Sequence, residues 1–170
     1  SRAVESALNQ TYRDFEIVIC NDGSNDGTGE YIEKHYSDNP YVKILHQKNG
    51  GIGSASNSCI EYAKGMFILQ LDSDDELLPN ALEVLIYLII GKPDVACVYG
   101  KHNKFDPISG NISMGWHYPG FCRKRMLHGM IVHHPRLFRK RDWAKVGGFS
   151  EKIVNAVDYD FFQKLSEIGK

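Results

Sequence analysis

Short apolar runs that stop abruptly in polar turns, separated by helix-patterned stretches, leave this chain few folds to choose from. Glu16–Cys20 is a β-branched run stopped by Asn21, Asp22, Gly23 and Ser24. Val42–Leu45 is stopped by Lys48, Asn49, Gly50 and Gly51. Met66–Leu71 ends in Asp72, Ser73, Asp74 and Asp75, and Val95–Tyr99 is a fourth such run. Between them, apolar residues recur at helical spacing: Tyr31, Ile32 and Tyr36; Ala55, Cys59 and Ala63; Ala81, Val84, Leu85 and Leu88. Ala3 and Ala7, with Val4 and Leu8, predict a helix at the start, and Phe161, Leu165 and Ile168 predict one over Phe161–Lys170. Strands alternating with helices imply an α/β fold, with a mostly parallel central sheet and helices on both faces. Near-continuous apolar strands fit burial on both sides. In such sheets ligands gather outside the carboxyl ends of the strands, which is where the acidic turns at Asp22 and Asp72 fall. From Lys101 to Met130 the period fades, and an irregular excursion is expected.

Composition narrows the classes. The 170 residues are enough for one domain with its own core. Hydrophobic residues make up 42% and charged residues 24%, which excludes a disordered tail. Net charge is −1, so a dedicated nucleic-acid-binding domain is not expected. The longest apolar run, Ala81–Ile90, is interrupted by Glu83 and is too short to span a bilayer. Cys20, Cys59, Cys97 and Cys122 form no CxxC pair and are expected to be reduced thiols. The chain opens and closes in or beside helices, so we expect a single domain over residues 1–170 that is incomplete at both ends.

Several clusters are candidates for chemistry. Asp72, Ser73, Asp74 and Asp75 place three carboxylates in four residues after a buried strand. Turn and helix-start preferences explain one or two acids there. Asp72 and Asp74 lie two apart, and in an extended segment both face one side, as oxygen ligands for Mn²⁺ or Mg²⁺ would. Asp22, in an Asp-Gly turn, is either a turn former or a carboxylate aimed at a base or ribose. Gly51-Ile52-Gly53-Ser54-Ala55-Ser56 follows a strand and opens a helix, but Ser56 stands where a dinucleotide fingerprint needs Gly or Ala. Asn155 to Asp160, ahead of the last helix, is either an Asn cap or the setting of a general base at Asp158. His133 and His134, as neighbours in a strand, point to opposite faces and do not share one metal, and one of them is expected to face the site. Arg123-Lys124-Arg125 and Arg139-Lys140-Arg141 are expected to be solvated faces. Trp116, with His117 and Tyr118, offers a platform for a sugar ring or a loop anchor.

Together these pieces resemble a family 2 glycosyltransferase of the GT-A fold. The residues that carry the resemblance are Asn21–Ser24, Lys48–Asn57, Gln70–Asp75 and Asp158, in order along almost the whole chain. Gln-Leu-Asp-Ser-Asp-Asp, Gly-Ile-Gly-Ser-Ala-Ser-Asn, His133-His134 and Asn-Ala-Val-Asp-Tyr-Asp are similar, more narrowly, to the glucuronate-transferring domain of two-domain bacterial hyaluronan and chondroitin synthases.

The resemblance implies an inverting, metal-dependent transfer from a UDP-sugar to an oligosaccharide or polysaccharide acceptor. Asp22 would accept from the uracil N–H. Gly53, Asn57, Asp72 and Ser73 would line the nucleotide-sugar site, and Asp74 with Asp72 would hold Mn²⁺ or Mg²⁺. Asp158 would deprotonate the acceptor, with His134 and Trp116 as further sugar contacts. A basic side chain such as Arg136 or Arg139 beside a donor carboxylate would support glucuronate, and the sequence places neither of them there. A cytoplasmic place, peripheral to the inner membrane face through a parent protein, is expected. Three features depart from the family: the first strand with its Pro-Thr-Tyr-Asn-like turn is absent, no His follows the last helix, and Ser56 stands where many relatives have Arg. The alternatives are a non-catalytic saccharide-binding module and a sugar nucleotidyltransferase.

Overall fold

The computed structural model describes residues 1–115 and 120–169. Helix α1 (Arg2–Leu8) leads to β1 (Ile17–Asp22), α2 (Thr28–Tyr36) and β2 (Val42–Gln47). β1 and β2 pair in parallel, in register from Ile17 opposite Val42 to Asp22 opposite Gln47. The ladder therefore sets Asp22 and Gln47 side by side at its carboxyl end. Gly23, at φ +73, turns the chain away there; a Cβ on it would stand 2.8 Å from the Asn49 nitrogen. Ile32, Tyr36 and Val42 are buried beneath α1 and α2, where Val4, Leu8, Ile17 and Ile19 pack on them.

Helix α3 (Gly51–Tyr62) lies against β1 and leads to β3 (Phe67–Gln70), α4 (Ala81–Ile89) and β4 (Cys97–Tyr99). The expected mostly parallel sheet needs correction beyond this point. β3 and β4 are not neighbours: β7 (Arg136–Arg139) inserts between them, antiparallel to both, and β1–β2 is the parallel ladder among the described residues. Only two apolar residues, flanked by cations, make β7 inconspicuous in the sequence. Leu137 faces Leu85 and Ile89 of α4, and Phe138 faces the opposite core; they are 1% and 0% exposed. Burial on both faces identifies a central strand.

The excursion between β4 and β7 contains a hairpin, β5 (Asn103–Phe105) with β6 (Ile112–Met114), and the single-turn helix α5 (Arg123–Met126). After β7 come α6 (Lys140–Lys145) and α7 (Val157–Leu165). α7 starts four residues before the expected Phe161, because Val157 opens the buried stripe that Phe161 and Leu165 continue. Asp158 and Asp160 are thus in its first turn, where carboxylates complement the helix dipole. The largest core is aromatic: Phe138 and Phe161 meet edge-on at 5.0 Å between centroids, with Phe149 and Phe162 around them.

In the second basic run Arg141 is solvent-exposed as expected, but Arg139 and Lys140 are not simply solvated. Arg139 donates to the carbonyls of Ile89, Lys92 and Val95, and Lys140 to those of Glu61 and Ala63. Cations here close the carboxyl ends of α4 and α3, where carbonyls lack helical partners. Arg123 remains at the surface, 3.3 Å from Glu167. Among the described residues, no helix is long and apolar enough to cross a membrane.

Candidate functional site

A cleft of about 610 Å³, counted with its open mouth, runs between α3, the end of β3, β7 and the approach to α7. Its walls are Ile52 and Ser56 from α3, Gln70 and Asp72, Arg136, Phe149, and residues Val154 to Asp158. Two of the expected site residues, Asp72 and Asp158, therefore share one cavity although 86 positions separate them. Each sits at an element end: Asp72 two residues past β3, Asp158 one residue into α7. Ala156, at φ 59, makes the turn that aims the first turn of α7 at the cleft.

The Asp158 carboxylate is held at both oxygens. Oδ1 accepts from the Tyr159 backbone N–H at 2.8 Å, and Oδ2 accepts from Nη1 of Arg136 at 3.0 Å. Each oxygen retains a lone pair for a further donor. Arg136 is 4% exposed, its guanidinium over the Phe162 ring at 4.8 Å. Its Nη2 donates to Nε2 of His134. Nδ1 of His134 faces the acids: 3.0 Å from Oδ2 of Asp75 and 3.5 Å from Oδ2 of Asp72. One buried guanidinium thus links the Asp158 side of the cleft to the acidic turn. His133 turns away, its Nε2 3.1 Å from the Met130 carbonyl oxygen, and burial holds its ring below the ordinary imidazole range.

Asp72, Asp75 and His134 bring one ligand atom each to within 4.8 Å of one another. Two carboxylates suit a divalent cation of the Mn²⁺ type, and the imidazole joins them through Nδ1 only in the tautomer that gives up the Arg136 bond at Nε2. Burial pushes the Asp72 carboxyl above its ordinary value; His134 and Arg136 pull it down, while Asp75 and Asp74 push it up. A dication is the charge that would relieve this crowding. Asp74 and Ser73 are exposed in the turn, which is closed by the Asp75 N–H to Asp72 carbonyl bond, and Asp74 stands outside the group of three.

The remaining expected residues have partners within the fold. Asp22 Oδ1 accepts from the Gly50 N–H and Gln47 Nε2, both at 2.8 Å, and Oδ2 from the Gly51 N–H at 2.9 Å. Desolvation raises its carboxyl, but the bonds from Gly50, Gln47 and Gly51 outweigh it and hold the group below its ordinary value. The carboxylate therefore seats the amino end of α3 as an anion would. Gly53 packs so closely on the Ser150 carbonyl that a Cβ would stand 2.4 Å from the oxygen. One turn on, Asn57 Oδ1 accepts from the Phe149 N–H at 2.9 Å and Trp143 Nε1 at 3.2 Å, while Nδ2 donates to the Phe149 carbonyl. These two residues dock the 148–151 loop, and with it Phe149 of the cleft wall. Trp116, His117 and Tyr118 lie outside the described residues.

Sequence reasoning missed the roles of Arg136, Gln70 and Asp75. Gln70 and Arg136 are cross-strand partners, and each leaves a buried atom, Oε1 and Nε, without a hydrogen bond. Arg136 is 4% exposed and shows only a small part of itself in the cleft wall. Its only signal in the sequence is a cation between apolar neighbours in Val132–Phe138.

Comparisons with known proteins add a family. The model described as glycosyl transferase family 2 matches residues 1–147. Over 169 residues the chain is 50% identical to a chondroitin synthase of Pasteurella multocida (strain Pm70), covering 99% of this chain and 18% of that protein. It is also 50% identical over 169 residues to a hyaluronan synthase of Pasteurella multocida, covering 99% of this chain and 17% of that protein. The chain thus spans under a fifth of the length of these relatives. In structure it matches S. aureus TarS in complex with UDP-GlcNAc at TM-score 0.74 and 23% identity, over 96% of this chain and 48% of that one. It also matches the mannosyltransferase PcManGT from Pyrobaculum calidifontis, in complex with GDP-Man and Mn²⁺, at TM-score 0.72 and 17% identity, over 98% and 47%. At these identities the structures show the fold, the α/β architecture of GT-A transferases.

Proposed function

The chain belongs to glycosyl transferase family 2, and from that premise we propose that it moves glucuronate from UDP-glucuronate to a glycan hydroxyl, with inversion and with Mn²⁺ or Mg²⁺. The observation that carries the reading is the meeting of Asp72 and Asp158 in one cleft. The choice of sugar rests on the relatives. The chain is equally similar to a chondroitin synthase and a hyaluronan synthase. Those polymers share glucuronate and differ in their hexosamine, so a domain equally like both is best read as handling the shared sugar.

Each residue then has one task. Asp158 takes the proton of the acceptor hydroxyl as that oxygen attacks the anomeric carbon, and the bond from that carbon to UDP breaks on the opposite face. Asp22 accepts from the uracil N–H through a lone pair that the α3 amino end leaves free. Asp72, Asp75 and His134 would hold the metal, with Asp74 beside them, and the ion supplies charge neutralisation for the diphosphate leaving group. Gly53 and Asn57 act through the loop they dock, and Ser73 lies at the metal-side rim. Acceptor saccharide is the expected occupant of the cleft mouth. Residence at a cytoplasmic membrane face through a larger parent protein, of which this chain is an incomplete domain, belongs to the same reading.

Calorimetric titration of UDP, with Mn²⁺ and again in EDTA, tests it. Binding should require the metal and be lost in Asp72→Asn. Asp158→Asn should still bind UDP and should lose glucuronate transfer. Metal-independent binding of oligosaccharide with no affinity for UDP would instead establish a saccharide-binding module.

A further inference from the structure

We propose that Arg136 is a positioning residue that acts through Asp158, an inference that rests on Asp158 being the base. Arg136 occupies the middle strand of the three-stranded sheet, with Gln70 on one side and Tyr99 on the other. A guanidinium in a sheet interior is costly unless its partners repay desolvation, so the fold must compensate for it. Two of its contacts lie on α7, while Nη2 reaches His134. Nη1 binds the Asp158 carboxylate, and the guanidinium face lies over Phe162, four residues on and so one turn along the same helix. Gripping a helix at two points one turn apart fixes both its rotation and its height over the sheet. The planar, always charged fork makes this possible, which a Lys ammonium cannot reproduce.

Asp158 depends on that grip. Without Arg136 its carboxylate keeps the N–H of the adjacent Tyr159, which moves with it and gives no reference to the sheet. The entry to α7 passes through Ala156 in the left-handed region, a conformation that persists only when its surroundings enforce it. Arg136 does not act by touching substrate. It is 4% exposed, whereas the Asp158 side chain is 39% exposed. A molecule entering the cleft meets chiefly the Asp158 carboxylate, with little of the guanidinium showing in the cleft wall.

The experiment compares Arg136→Lys, Arg136→Met and Asp158→Asn in the full-length protein. Rates are normalised to the stoichiometry of UDP binding in Mn²⁺, so that an unfolded fraction does not count. We expect kcat to fall in the order wild type, Arg136→Lys, Arg136→Met, by roughly a hundredfold for the last, as misplacement of a reacting group does. At saturating donor and Mn²⁺ the fall in kcat should remain, while any weakening of UDP binding reports the contact of Nη2 with His134 and not the Asp158 arm. A normalised kcat unchanged in Arg136→Met, while Asp158→Asn is inactive, overturns the proposal and leaves the base intact. A loss that disappears at saturating donor and Mn²⁺ overturns it in favour of a role in donor binding. Full activity in Asp158→Asn overturns the base assignment itself, and the role of Arg136 with it.

Discussion

Asn57 commits both ends of its amide to Trp143, Phe149 and the loop between them. Asn57→Ala leaves the Phe149 N–H and the indole N–H without acceptors, and should cost about 2–3 kcal/mol. Urea unfolding checks this; a change below about 0.5 kcal/mol would contradict the docking role. Asp22 makes a prediction about pH. Its folded-state value lies below the ordinary 3.8, so its ionised form favours folding. That contribution is complete above the unfolded value and is lost as pH falls through the folded one. The stability gap between wild type and Asp22→Asn should be widest near neutral pH and should shrink below about pH 4. Urea midpoints across that range measure it, and a gap that does not vary with pH would contradict it. Neither role was visible in the sequence. A turn Asp and a helix Asn look alike whether their partners are ligand atoms or main chain, and those partners lie 28 and 92 positions away.

At the scale of elements, the strands that ended in acidic turns were legible because apolar runs and turn residues are local signals. Strand β7 was not, since Leu137 and Phe138 show their double burial only once α4 and α7 are in place. The same applies to the start of α7, whose stripe begins at Val157 in a stretch that reads as polar. Of the candidate site, the acidic turn and Asp158 could be read as motifs. The guanidinium joining them could not, because its one local signal, apolar neighbours, is shared with surface arginines whose stems lie on apolar side chains. α3 offers the sharpest element-level prediction. Gly53→Ala should favour the helix by up to about 1 kcal/mol in isolation. The new Cβ, however, would press on main chain at Ser150, 2.4 Å away. We expect a net loss of about 1–3 kcal/mol, read as a lowered urea midpoint; a raised midpoint would show that the loop yields freely.

Over the whole molecule, the cleft is as firm as the aromatic core beneath it. Phe149 contributes to both, and Phe161 packs against it at 4.2 Å between centroids. Phe161→Ala should destabilise by about 3–5 kcal/mol, and calorimetric melting should show whether the fold survives the loss. α3 spans the molecule between Asp22 at one end and Lys140 at the other, with the 148–151 loop along its flank. This sets limits on recombination among relatives. A crossover that brought in a foreign segment 51–62 alone would bring a helix cut to another seat. The heritable module is discontinuous: the carboxylate at 22, the helix, and the strip from 140 to 151 must come from one parent. Chimeras that respect this grouping should fold, and those whose breakpoints divide it should lose stability.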